Sequence, residues 1–133
     1  MKLFKYFAIL IFILSLLSIS SCGKFAQMKK DLDAMQIVTP DLSKVSDGEY
    51  DGYVDLSFVT AKVKVKIQDG KISSIDLLEH KHGPSAKYCA ESIVQKIIEN
   101  QSLDVDSVTG ATGSSKVIKK AVQLAIEKGI VSE

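Results

Sequence analysis

Residues 61–72 read AKVKVKIQDGKI, and the reading of this stretch decides the fold. Ala61, Val63, Val65 and Ile67 alternate with Lys62, Lys64, Lys66 and Gln68. A period of two belongs to a strand with one apolar and one solvated face. Asp69-Gly70 follows, and because both residue types tolerate positive φ the pair predicts a two-residue hairpin. Lys71 to Glu79 is the expected return strand, with Ile72, Ile75 and Leu77 as its apolar members. Upstream, Tyr50 to Val59 reads as another strand, interrupted at Gly52. Three meandering strands leave one face in need of cover.

Two downstream segments have the period of a helix. Gly83-Pro84-Ser85 predicts a helix start, since proline suits the first turn. Ala86, Ala90, Ile93, Ile97 and Ile98 then form a stripe running through Glu99. The second helix is predicted over Ser115–Lys128, with Val117, Ile118, Ala121, Val122, Leu124 and Ala125 apolar. Lys128 in its last turn and Gly129 just beyond it form a conventional stop. The expected fold class is α+β: a small antiparallel β-meander packed against two helices.

The chain ahead of this unit has a different character. Lys2 and Lys5 precede thirteen residues, Phe7 to Ile19, that read FAILIFILSLLSI. That run is shorter than the roughly 18 apolar residues of a membrane span and fits the apolar core of a signal peptide. Ile19-Ser20-Ser21-Cys22 resembles a bacterial lipobox, which implies a signal peptide over 1–21 and lipidation of Cys22. An acylated Cys22 anchors the chain to a membrane without a basic patch. Phe25, Met28, Leu32 and Met35 form a helical stripe that either lies against the domain or acts as a stalk. Residues 22–46 are therefore expected as anchor, helical stalk and linker, and 47–133 as the folded domain.

Composition excludes some functions. A length of 133 residues favours one domain. The 46% apolar content is inflated by the N-terminal run, and loss of residues 1–21 turns the net charge of +1 slightly negative. Every basic residue is lysine, which argues against nucleic-acid binding. Once Cys22 is lipidated, Cys89 has no partner for an internal disulfide, and its place in an apolar stripe reads as a buried thiol. His80 and His82 lack an obvious third metal ligand nearby and read as solvated residues at a strand end, or as neighbours of a ligand. No catalytic residue and no metal site is assigned.

Residues 104–116, DVDSVTGATGSSK, are the chemically informative segment. Thr109, Thr112, Ser114 and Ser115 bring four hydroxyls close to Gly110 and Gly113, directly before a helix. A helix N-terminus binds phosphate through unpaired N–H groups and its dipole, and glycines permit close approach of the backbone. Serine and threonine before a helix are equally ordinary N-caps. A Walker A loop is excluded, because Gly110 to Lys116 lacks the GxxxxGK[ST] order.

Thr109-Gly110-Ala111-Thr112-Gly113-Ser114 resembles the [ST]GA[ST]x[ST] flavinylation motif of the FMN-binding domain family, found also in peripheral flavin subunits of Rnf complexes and the sodium-pumping NADH:quinone reductase. The resemblance extends from about Asp47 to Gly129. DGEYDG at 47–52 is similar to the family's DGxYxG opening, VKVKIQDGKI at 63–72 to its hairpin, and QSLDVD at 101–106 to the stretch before the motif. It implies covalent FMN, joined by its phosphate to Ser114, with Thr112 as the second candidate. It also implies a role for Asp106 in recognition by the FAD:protein FMN transferase, while Ser115 and Lys116 complete the expected phosphate site. The chain departs from the pattern at Ser114, where the best-known members have threonine, and at Gly113, in a slot often apolar in relatives. The implied function is an electron-relaying flavoprotein rather than a stand-alone enzyme. Two other functions are compatible with the residues: a lipoprotein binding FMN or another phosphate ligand without redox turnover, and an interaction domain of the same fold without cofactor.

Overall fold

The computed structural model describes residues 1–17, 19–83 and 90–131, with the side chains of 2–4 and 14–22 outside the description. Helices α1 (Lys2–Leu17) and α2 (Ile19–Ala34) are followed by a short 3₁₀ turn, Leu42–Lys44. Strands β1 (Gly48–Asp55), β2 (Thr60–Gln68) and β3 (Lys71–Lys81) come next, then helices α3 (Ile93–Asn100) and α4 (Thr112–Glu127). The strands form an antiparallel sheet in the order β1-β2-β3. Helix α4 packs across β1 and β2 while α3 covers β3, so the fold is a small α+β unit with its core between sheet and helices. Among the described residues no helix is long and apolar enough to cross a membrane.

The hairpin forms as its residues require. Asp69 and Gly70 both have positive φ, +52° and +69°. The Asp47 carboxylate accepts the Asp69 N–H at 2.9 Å, which ties the start of β1 to the turn. Ala61, Val63, Val65 and Ile67 are buried, and the lysines alternating with them face outward. Those lysines do not form a basic patch, because their cross-strand partners are acidic. Lys62 pairs with Glu79, Lys64 with Asp51 and Asp76, and Lys66 with Glu49. The Lys64 ammonium lies 3.8 Å from both Glu49 and Asp51.

Four expectations need correction. The strand predicted over Tyr50–Val59 ends at Asp55, where the carboxylate accepts the Ser57 N–H at 2.7 Å and Ser57 adopts φ +67°, turning the chain toward β2. Strand β3 extends past Glu79 and carries two bulges, at Ser73 and Leu78, each leaving one residue unpaired with β2. Helix α4 begins at Thr112 rather than Ser115, which places both motif serines inside its first turn. Gly129 follows α4 without a left-handed conformation: an added Cβ there would lie 2.5 Å from the Tyr50 ring and 2.7 Å from Val45, so packing requires the glycine. The predicted start of the first covering helix at 84–86, and Cys89, lie outside the described residues; within them α3 begins at Ile93.

The segment after α2 belongs to the packed unit. Leu32, Met35, Ile37 and Leu42 rest against the core, and Val45 is buried in it. The Lys116 ammonium donates to the Leu32 carbonyl at 2.9 Å and the Lys120 ammonium to the Gln36 carbonyl at 3.1 Å, while the Val38 N–H donates to the Gln123 side chain at 3.1 Å. Carbonyls in the last turn of α2 and just beyond it thus find cations from α4.

Candidate functional site

The motif loop is built from the end of α3 upward. Gln101 ends that helix in the left-handed region, and its amide bonds both the N–H (2.7 Å) and carbonyl (2.9 Å) of Ile72 on the outer edge of β3. Thr39 receives the Leu103 N–H at 2.9 Å, and Leu103 is buried. The loop beyond it is anchored from beneath by Lys119, whose ammonium donates to the Val105 carbonyl. Lys119 is only 9% exposed. Burial pushes its pKa below the usual lysine value, partly offset by the carboxylates of Asp104 and Asp106.

That shift has a testable sign. A lysine whose pKa is lower in the folded than in the unfolded chain leaves the unfolded state binding more protons between the two values, so stability rises with pH there. The urea midpoint of the wild type, measured relative to Lys119→Met, is expected to climb as the pH approaches the ordinary lysine pKa of 10.5. A flat difference across the alkaline range would contradict the burial of a charged Lys119.

The motif's hydroxyls separate into distinct roles. Thr109 is exposed, and Gly110 has φ +78°, a conformation that favours glycine. Ala111 is buried, holds the N-cap position and supplies no capping side chain. The Ser115 hydroxyl accepts the Val108 N–H at 2.9 Å and closes the loop onto the helix. Ser115 therefore supplies the local backbone bonding expected of a serine at a helix start. Ser114 is 3% exposed, and its hydroxyl has no hydrogen-bond partner among the described residues. The amides of Thr112, Gly113 and Ser114 are the first of α4, with no carbonyl a turn earlier and no side-chain cap to receive them. Lys116, expected beside a phosphate, instead sends its ammonium to Leu32. Asp106 is exposed on the loop before this turn.

Residues 110–114 form one wall of a cavity of ≈ 830 Å³, within the size range of small-molecule and cofactor sites. Phe25, Met28 and Leu32 of α2 face them, together with Phe58 and Val59 from the β1–β2 turn. Lys81, His82 and Gly83 complete the lining at the end of β3. One side is thus apolar and aromatic, and the other is a helix N-terminus rich in unpaired donors. That division suits FMN, which has an extended aromatic ring system at one end and a phosphate at the other.

His80 and His82 are half-buried rather than solvated, and the bulge at Leu78 is the reason. Leu77 pairs with Val63 on the inner face, Leu78 is left over, and His80 then falls opposite buried Ala61. The His80 Nδ1 lies 3.0 Å from the Thr60 carbonyl, and the two imidazole centroids are 5.3 Å apart. His80 Nε2 and His82 Nδ1 are buried without hydrogen-bond partners. Among the described residues no group of three or more metal-ligating side chains is assembled. Sequence reasoning missed Phe58 and Lys119; an aromatic residue at a turn between strands was the one visible sign of the former.

Comparison with known proteins agrees with this geometry. A relative from Treponema pallidum (strain Nichols), described as an uncharacterized protein, is 28% identical over 87 residues, which is 65% of this chain. The chain spans about a quarter (24%) of that relative's length. No solved structure matches the chain. The FMN-binding domain family matches residues 58–127, more than half of the sequence, from the Phe58 turn to the last residue of α4. With the positive-φ glycine, the uncapped amides and the apolar wall inside or bordering that match, the chain belongs to the FMN-binding domain family, and FMN is its cofactor.

Proposed function

We propose that this protein is an extracytoplasmic, membrane-anchored flavoprotein that holds FMN as a phosphodiester on Ser114 and relays electrons. The observation that carries this reading is the placement of Ser114. It sits in the first turn of α4 with no side-chain hydrogen-bond partner among the described residues, while Ser115 makes the local structural bond. Side chains on a helix lean toward its N-terminus, so a phosphate on Ser114 Oγ lies near the open amides of 112–114, where its charge is favoured. In the attachment reaction Ser114 Oγ bonds to the FMN phosphorus of FAD. The pyrophosphate bond breaks, AMP leaves and the hydroxyl proton is released. Thr112 is the second candidate for the same reaction, being exposed and also bordering the cavity. Exposed Asp106 is accessible to the FAD:protein FMN transferase.

Bound FMN supplies one- and two-electron chemistry, and the chain's residues set its exposure and electrostatics. Anchoring rests on the lipobox-like ISSC at 19–22 after a short apolar run. The cavity begins at Phe25, one helical turn beyond Cys22 and about 4.5 Å along the axis. A lipid on Cys22 would therefore hold the flavin at the membrane surface, within reach of a membrane-resident donor or acceptor.

Co-expression of the full chain with a flavin transferase, followed by membrane fractionation, tests this function. The membrane fraction is expected to show one flavin-fluorescent band on a denaturing gel, and Cys22→Ser is expected to move that band to the soluble fraction. The native protein should bleach on reduction by dithionite and recover in air. Flavin released by denaturation would favour reversible binding instead, and a colourless chain would favour an interaction domain.

A further inference from the structure

The family match begins at residue 58, yet the cavity is closed by residues 25, 28 and 32, which lie before it. We infer that helix α2 is a built-in outer wall of the flavin site, with Phe25 and Met28 covering the ring system. The inference rests on the flavin reading above and assigns a positioning role to a segment whose sequence left open whether it lies against the domain or acts as a stalk.

Three observations carry it. The apolar stripe of α2 divides in two: Leu32 and, just beyond the helix, Met35 pack on the core, whereas Phe25 and Met28 make no part of it and border the cavity. Phe25 is 59% exposed and Phe58, across from it, 39% exposed, their ring centroids 6.5 Å apart at a tilt of 58°. Two exposed aromatic rings flanking an apolar cavity form a ready contact surface for a flat aromatic ligand.

Secondly, α2 is fastened from its far end. The Lys116 and Lys120 ammonium groups hold the carbonyls of Leu32 and Gln36, which fixes the helix over the first turns of α4. Thirdly, the motif itself makes room for α2. A Cβ on Gly113 would lie 3.3 Å from Leu32 Cδ1, so the glycine in the motif's variable slot lets Leu32 approach the turn that carries Ser114. Lys116 thus serves α2 rather than a ligand directly, and Gly113, whose amide is among the open ones of the first turn, also makes room for α2.

The test is the accessibility of the flavin to acrylamide, a neutral collisional quencher, in the flavinylated fraction of the full-length chain in detergent. Removing both covering side chains, Phe25→Ser with Met28→Ser, is expected to raise the fluorescence quenching constant about three- to tenfold, the effect of losing stacking contacts that favour the covered state. Lys30→Ala, on an exposed position of the same helix, is expected to leave it unchanged. Intact mass separates the two claims. A wild type that acquires no FMN overturns the flavin reading and this inference with it. A wild type that acquires FMN but shows the same quenching constant as the double variant, or a Lys30→Ala chain that rises equally, overturns the wall alone.

Discussion

Ser114→Ala, co-expressed with the flavin transferase, is expected to lose covalent FMN completely while remaining folded. The substitution removes a motif hydroxyl on a residue buried at the helix start that has no hydrogen-bond partner among the described residues. Alanine has high helix propensity, and no hydrogen bond is lost, so the cost in stability is expected to stay within about 1 kcal/mol. Ser115→Ala has the opposite profile. It leaves the Val108 N–H without its partner and is expected to cost about 1–3 kcal/mol. Denaturing-gel fluorescence reads the first effect and a urea titration the second. Undiminished fluorescence in Ser114→Ala would place the attachment elsewhere, with Thr112 the next position to replace.

The largest effect on stability is expected at Gly52. This glycine pairs with Val63 in the sheet and is buried beneath α4. A Cβ built on it would lie 1.8 Å from the Ala121 carbonyl oxygen and 3.0 Å from the Ala125 N–H nitrogen. These are backbone atoms of α4 and cannot rotate away, so Gly52→Ala must lift the helix from β1. Overpacking of this kind costs about 1–3 kcal/mol and occasionally more, and a clash with backbone belongs at the upper end. For a domain of this size each kcal/mol lowers Tm by about 4–8 °C, so a fall of more than 10 °C is expected by calorimetry. An unchanged Tm would mean that α4 does not cross β1 at Gly52. Since the first turn of the same helix carries the site, reduced flavin loading is expected to accompany the loss.

Gly52 also shows where reading a sequence reaches its end. A glycine inside a strand pattern signals an interruption, a bulge or a close approach, and only the position of Ala121 decides among them. Gly129 is similar: after a helix it reads as a left-handed cap, whereas the Tyr50 ring is what requires it. The β2–β3 hairpin was legible because its period and its turn agree and both are local. The bulges in β3 left only a trace, the spacing of three between Ile72 and Ile75 where a regular strand would have two. That small irregularity at Ser73, and its counterpart at Leu78, decide which residues face inward, including His80.

The motif loop was equally legible, since a run of hydroxyls and glycines before a helix has local physical meaning. Its boundary was read three residues late, because Thr112 and Gly113 are weak helix formers that the tertiary packing of α4 nonetheless recruits. The cavity's far wall was not legible. Phe25, Phe58 and His82 come from three separate segments, brought together by the crossing of α2 over α4 and by the turn at Ser57. A helical stripe states that a face is apolar, not what it covers.

The most direct test of the central claim is the mass of one peptide. Trypsin cleaves after Lys96 and Lys116, releasing residues 97–116 with every motif hydroxyl in a single fragment. From the flavinylated chain this peptide is expected to carry the mass of FMN less one water, and fragmentation is expected to place it on Ser114. An unmodified 97–116 peptide from chain expressed with an active transferase, or FMN localised outside the motif, would contradict it.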